Sequence, residues 1–456
     1  MPNPSTIAAF RARLPGRVLT SEDAGYDRAR RVFNAMIDRR PAVIAQCRDA
    51  ADVAAAVVFA REQGMPLSVR GGGHSVAGRA VCDAGLMIDL SPMKSVRIDP
   101  QSRHAQAQPG LTLGEFDRAT QELGFATPLG IVSVTGISGL TLGGGIGWLN
   151  GRYGLACDNV TSLEIVTADG NRLTANAGSH DDLFWALRGG SGNFGVVTSI
   201  EYRLHPVGSV LAGPIFHPLT HAREALNFFL EFSAGAPDEL TTTAALVTFP
   251  DGTPAVALAC CYCGSPAAGE RVVAPLRAFG SPLADQLQAM PYTGVQSMLD
   301  GFFPPGRRHY WKSSLTSRVP AAAVDVLIEF VRRQPSPFTI VALQQFHGAA
   351  ARVAPHETAF AHRGDRFDCL ILAQWASPAE SDANIAWARE LWAAVEPHVD
   401  RAVYVNNLGD EPDAVVRAAY GSNYGRLASI KAKYDPANLF RSTQNVLPLG
   451  NAPPAP

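Results

Sequence analysis

The stretch Pro66-Leu67-Ser68-Val69-Arg70-Gly71-Gly72-Gly73-His74-Ser75 constrains this chain more than any other. A short apolar strand runs straight into three glycines and a histidine. Glycine backbone turns through positive φ and can aim successive N–H groups at one point, which makes a concavity suited to a diphosphate. An imidazole directly behind such a cradle suggests a cofactor held covalently. Taken alone, the run reads rather as a Gly-rich turn followed by a hydrogen-bonded loop histidine. A second window bears on the choice. Residues 128–147 hold seven glycines and no charged side chain. A solvated linker would be polar, so this backbone is expected to pass close to something flat or anionic.

At 456 residues the chain is too long for one ordinary core, and two or three units are expected, large enough to bury a cofactor. A formal net charge of −2 supplies no basic field to hold nucleic acid. Met1 to Thr20 carries arginines but no apolar run of signal-peptide or membrane-span length, so a soluble cytoplasmic protein without a membrane partner is the expectation. The seven cysteines are scattered and odd in number, which argues for reduced thiols. Cys260-Cys261-Tyr262-Cys263 continues an apolar run and has no second ligand pair at zinc spacing, so it reads as buried strand and no metal is expected.

The first 207 residues alternate helical and strand patterns. Ala50 to Glu62 has helical spacing behind the capping candidate Asp49, and it feeds the strand before His74. Strands are expected near 85–90, 95–99, 163–166 and 196–198, with helices over 113–123 and 181–187. From 208 to 403 the pattern changes to helices such as 222–232 and 322–332 between long apolar strands at 242–249, 338–346 and 367–375. That pattern predicts an antiparallel sheet with helices on one face. The tail from 404 holds an amphipathic helix expected from Tyr420 to Lys431 and a Pro-rich end over 448–456 that reads as frayed.

With these pieces in register, the chain resembles the FAD-linked oxidoreductases of the vanillyl-alcohol-oxidase type, and within them the berberine-bridge-enzyme-like branch that includes hydroxynicotine oxidases. The matching motifs are Arg70 to Ser75, the glycine window ending in Gly143-Gly144-Gly145-Ile146-Gly147, Tyr153-Gly154-Leu155 with Asp158-Asn159, Leu183 to Gly190, and the tail from Tyr420 to Asn445. The resemblance implies an α+β fold with a PCMH-type FAD-binding domain split between 1–207 and 404–456, and an inserted antiparallel-sheet substrate domain at 208–403. It implies FAD attached through its 8α-methyl to His74. The other cofactor contacts it implies are Arg70, Gly71, Gly72, Gly73 and Ser75, then Thr135, Gly136, Ser138, Gly139, Gly143 and Gly145, with Val197 and Asn445. Many relatives carry a second link from a cysteine whose position here is Val132, so a single covalent bond is expected. Thr135 stands where the family controls oxygen access, and a small side chain there favours an oxidase.

The family's usual bases are missing: Val76, Ile146, Asn407 and Leu370 occupy the positions of its tyrosines and its roof-strand carboxylate or glutamine. Strand parity offers replacements. If Leu370 faces the flavin then so does Asp368, while Gln345 and His347 on the neighbouring strand point inward or outward together. His347 is a candidate proton acceptor or else a strand-end histidine at the domain surface, Asp368 its orienting partner or the binder of a substrate ammonium, and Gln345 and Asn407 candidate contacts. Tyr310-Trp311-Lys312 reads either as a further pocket wall or as core aromatics beside a solvated lysine. The resemblance implies an FAD-dependent oxidase that takes hydride from a C–OH or C–NH carbon of a natural-product alcohol, sugar or cyclic amine and reduces O2 to H2O2. A flavin monooxygenase or oxidative-cyclisation enzyme is the alternative within the class, and a flavin-binding protein without turnover the alternative outside it.

Overall fold

In the computed structural model, which describes residues 3–409 and 411–450, three sheets carry the architecture. Strands Val18–Leu19, Val43–Gln46, Leu86–Asp89 and Leu67–Arg70 form a four-stranded sheet in that spatial order, parallel at its last two pairings. A five-stranded antiparallel sheet follows, with Val96–Asp99 and Arg172–Asn176 at its edges and Val196–Arg203 at its centre. The third is an eight-stranded antiparallel sheet that includes Val210–Pro218, Pro254–Tyr262, Leu240–Thr248, Ile340–Phe346, Arg366–Trp375 and Arg308–Thr316. Helices Ala222–Ala234, Ala321–Val331 and Ser381–Val395 pack on one face of the large sheet through Leu226, Phe229, Leu327, Trp387 and Leu391. Its other face is left for the cleft.

Local chemistry sets the elements that flank the first glycine loop. The helix Ala50–Glu62 begins where Asp49 accepts hydrogen bonds from the N–H groups of Ala51 and Asp52 at 2.8 and 3.0 Å. That cap satisfies two donors the helix cannot pair internally. Asp49→Ala is expected to lower stability by about 1 kcal/mol, read as a shift of the urea midpoint at unchanged slope.

The tail departs from the expected single helix. Asp413–Tyr420 ends at Gly421, whose φ is +51°, and a second helix runs Tyr424–Tyr434. The second helix is anchored from within: the buried Lys431 Nζ donates to Asn193 O at 2.7 Å, Phe440 O at 3.0 Å and Asp435 Oδ2 at 2.7 Å. These bonds draw the C-terminal segment onto the first 207 residues. All seven cysteines are unpaired and buried, with Cys260 and Cys261 inside the Pro254–Tyr262 strand. No helix among the described residues is long and apolar enough to cross a membrane. Of the Pro-rich end, residues 451–456 lie outside the described residues.

Candidate active site

The strand Leu67–Arg70 delivers Gly71 to the floor of a long cleft. Of the three glycines only Gly73 takes a left-handed conformation, with φ +71°. Gly71 and Gly72 are demanded by proximity instead. A Cβ on Gly72 would sit 2.4 Å from the Gly136 backbone nitrogen, and one on Gly71 would sit 2.4 Å from Ser138 Oγ. The two glycine windows therefore cross backbone against backbone. Gly72→Ala forces them apart, with an expected loss of about 1–3 kcal/mol in unfolding experiments and a clear drop in the flavin content of purified protein.

Gly71, Gly72, Gly73, His74 and Ser75 line the cleft together with Thr135, Gly136, Ser138, Gly139 and Val197. Four expected contacts lie elsewhere. Arg70 turns behind the loop, where its guanidinium bonds Ala29 O and stands 3.9 Å from Asp89 Oδ1. Gly143 is glycine because a Cβ there would lie 2.0 Å from Asn406 Oδ1, and the Gly145 N–H donates to Tyr404 Oη at 2.8 Å. These two admit the Tyr404–Asn406 segment rather than a cofactor. From the tail it is Ser442, Thr443 and Gln444 that line the cleft, while Asn445 beside them keeps a buried Oδ1 without a partner.

On the roof, the register between Ile340–Phe346 and Arg366–Trp375 sets Gln344 opposite Asp368, Ala342 opposite Leu370 and Ile340 opposite Leu372. Gln344, Asp368, Leu370 and Leu372 face the cleft, joined by Trp311 from Arg308–Thr316. Gln345 points the other way: its Nε2 donates to Ser233 O at 2.6 Å and its Oε1 accepts from Thr242 Oγ1 at 2.8 Å. His347 follows it outward, with Nε2 2.9 Å from Leu240 O and packed against Gly151. Neither reaches the cleft, so His347 is not a base there and Asp368 does not orient it. Lys312, next to Trp311, is turned to Glu411 in an ion pair.

Asp368 has a different partner. Asn407, on the 3₁₀ turn Val405–Asn407, donates from Nδ2 to Asp368 Oδ2 at 2.7 Å. Burial pushes the Asp368 carboxyl up to about 8, against a smaller downward pull from that hydrogen bond. Its Oδ1 is buried without a partner. Gln344 was overlooked in the sequence although it stands beside Gln345, and so was Tyr404, whose hydroxyl also accepts from Asn406 Nδ2 at 2.7 Å.

Unsatisfied buried atoms gather around this cleft: His74 Nε2, Gln344 Nε2, Asp368 Oδ1, Trp311 Nε1 and Gln444 Oε1. Each such atom costs about 1–3 kcal/mol when left bare, so the cleft is built to receive a polar ligand. The donor set fits FAD, with a crossed glycine cradle for a diphosphate at one part of the cleft and an apolar roof carrying one carboxyl at another. Such a site under an antiparallel roof defines a flavin-dependent oxidoreductase.

The family comparisons agree. Residues 41–176 match the FAD binding domain family, and residues 403–447 match the berberine and berberine-like family. The chain is 31% identical to the (R)-6-hydroxynicotine oxidase of Paenarthrobacter nicotinovorans, over 96% of this chain and 98% of that protein. An uncharacterised FAD-linked oxidoreductase of Bacillus subtilis is also 31% identical, over 96% of this chain and 98% of its own length. Among solved structures, 6-hydroxy-D-nicotine oxidase from Arthrobacter nicotinovorans superposes with a TM-score of 0.88 at 29% identity, covering 95% of this chain and 98% of that one. Xylooligosaccharide oxidase from Myceliophthora thermophila gives 0.87 at 25% identity, covering 97% and 99%. The chain belongs to the FAD-linked oxidoreductases, in their berberine-bridge-like branch.

Proposed function

We propose that the protein is an FAD-dependent oxidase whose flavin is held covalently by His74, and that it oxidises a C–OH or C–NH carbon of a small organic substrate with release of H2O2. Asp368 carries this reading. It is the carboxyl on the roof face of the cleft, it is buried, and it keeps one oxygen without a partner. A carboxylate with a raised proton affinity is a stronger base once ionised, so Asp368 accepts the proton from a substrate OH or NH as hydride leaves the carbon. Asn407 fixes the carboxyl through Oδ2, which leaves Oδ1 for the substrate. Gln344, its cross-strand partner, offers an unpaired Nε2 to the substrate heteroatom. Bound FAD supplies the hydride acceptor and passes the electrons to O2.

The flavin is held in a unit assembled from residues 1–207 and 404–456, beneath the sheet of residues 208–403. Gly71 to Ser75, Gly136, Ser138, Gly139 and Val197 are the residues that would hold it, with Gln444 and its neighbours from the tail. Val132 lines the cleft as a buried apolar side chain, which supports one covalent link rather than two. Thr135, half-buried on the same wall, leaves space for oxygen. Ile131, Val132, Phe303, Trp311, Leu370 and Leu372 make the substrate end apolar, which favours an alcohol or cyclic amine over a sugar. The buried unpaired cysteines support a reducing, cytoplasmic setting.

Two measurements test the reading. The denatured protein should run on a gel as a yellow-fluorescent band, and complete release of flavin on denaturation would remove His74 from its role. Peroxide release should appear with alcohols or cyclic amines in a substrate panel. Silence across that panel, with flavin bound, would leave a flavin-binding protein without turnover.

A further inference from the structure

The segment Phe33 to Ala35 has no part in the chemistry above, yet it ties the His74 loop to the roof. The Phe33 N–H donates to Gly73 O at 3.0 Å and the Ala35 N–H to Arg307 O at 2.9 Å. Between them, Asn34 Nδ2 donates to Val76 O at 2.8 Å and His309 O at 2.9 Å, while its Oδ1 accepts from the His309 N–H at 3.0 Å. This strap carries an aromatic ring into the gap. Phe33 stacks on His74 with ring centroids 3.9 Å apart and planes at 15°, and on His309 at 4.3 Å and 21°. Two rings stacked at those distances cannot share one face, so Phe33 lies between the imidazoles. Trp311 closes the column edge-on, 5.8 Å from His309 and 6.3 Å from Phe33.

Hydrogen bonds explain only part of this arrangement, since the His74 ring bonds its own backbone. Both ring nitrogens of His309 and Nε2 of His74 are buried without partners. Apart from that bond, the rings are held by stacking and by the strap. A single hydrogen bond to its own backbone leaves the His74 imidazole room to swing about χ2, and aromatic packing limits that motion here.

We propose that Phe33 and His309 are positioning residues for covalent flavin attachment, setting the plane of the His74 ring so that one of its nitrogens meets the flavin 8α-carbon. The proposal rests on the reading of His74 as the attachment point. Attachment exchanges a C8α–H bond for a C8α–N bond. The protons from the methyl and the imidazole, with two electrons, pass to the flavin ring and then to O2, giving H2O2. Phe33 and His309 take no proton in this step; they fix geometry.

The test uses full-length protein produced under riboflavin limitation and then incubated with FAD. Covalent incorporation is read as flavin retained in the acid precipitate, and non-covalent affinity is read separately by flavin fluorescence quenching. A lost stack is worth about 1 kcal/mol, so Phe33→Leu and His309→Ala are expected to slow incorporation about five- to tenfold with FAD affinity changed less than about threefold. Phe33→Tyr and His309→Phe, which keep the rings, are expected within about twofold of wild type. His309→Ala leaves the backbone bonds of the strap in place and carries the test if Phe33→Leu does not fold. Wild-type rates in both Phe33→Leu and His309→Ala overturn the stacking role. So does a His309→Phe as slow as His309→Ala, since that assigns the effect to the ring nitrogens. If wild-type protein itself retains no flavin in the precipitate, the His74 reading fails first and this proposal with it.

Discussion

Asp368→Asn is expected to lower kcat/KM by about 10²–10⁴-fold while leaving the flavin content of the protein at the wild-type level. The replacement is nearly isosteric and keeps an oxygen for Asn407 Nδ2, so the cleft stays in place and, on the proposed mechanism, only the proton acceptor is lost. The pH profile gives the sharper reading. Because the carboxyl is pushed up to about 8 by burial, kcat/KM of the free enzyme should rise with pH through that value in wild type. Asp368→Asn should lose that limb. A cationic amine substrate, once bound beside Asp368, would pull the carboxyl down, so the corresponding limb in kcat should move to lower pH. Unchanged turnover with an unchanged limb would remove Asp368 from the mechanism.

The same residue predicts a stability signature of opposite sense. The folded protein binds the Asp368 proton more tightly than the unfolded chain, whose carboxyl titrates near 4. Its favourable contribution is therefore complete below about pH 4 and is lost as pH rises towards about 8. Asp368→Asn should be more stable than wild type by a margin that grows across that window and then levels off, with an upper limit on the order of 5 kcal/mol. Denaturant midpoints measured at pH 5 and pH 9 check the direction. An active site that sacrifices stability for a bare carboxyl is the behaviour this reading requires.

The second large effect lies behind the cleft, at Arg363. Its Nη1 donates to Asp158 Oδ2 at 2.9 Å and Ala350 O at 2.9 Å, and its Nη2 donates to Asp158 Oδ1 at 2.7 Å and Thr358 Oγ1 at 2.9 Å. The pair is buried, with side-chain exposures of 1% and 10%. It ties the segment that follows His347 to the Asp158-Asn159 turn. Arg363→Met strands the Asp158 carboxylate, and the expected cost is about 3–5 kcal/mol in denaturant unfolding. Adding Asp158→Asn should recover part of that loss, because the uncompensated charge is gone. Additive losses in the double variant would refute a stranded charge as the cause.

How far the site was legible follows from how local each constraint is. The strand before His74, the helix capped by Asp49, the Asp181–Leu187 helix and both glycine windows were readable because their signals lie within a few residues. The need for glycine was readable too, but not its reason: Gly72 answers to Gly136, and Gly143 to Asn406, neither of which is near in sequence. The roof shows the limit. In Ile340-Val341-Ala342-Leu343-Gln344-Gln345 both strand faces are buried, so no alternation marks which glutamine faces the cleft. Val341 and Leu343 pack against the helices while Ile340 and Ala342 face the cleft, and that choice assigns Gln344 to the site and sends Gln345 and His347 away.

By itself the sequence determined the class of fold, the flavin family, the histidine at the cradle and the absence of a cysteine at Val132, because motifs held close in the chain need no tertiary partner to be recognised. Only the tertiary structure decided what surrounds that histidine and which carboxyl faces the cleft. The pairing of Asp368 with Asn407, the facing of Gln344, and the column of Phe33, His74 and His309 each join segments tens to hundreds of residues apart. Strand register and packing bring them together, and neither is written in any one segment.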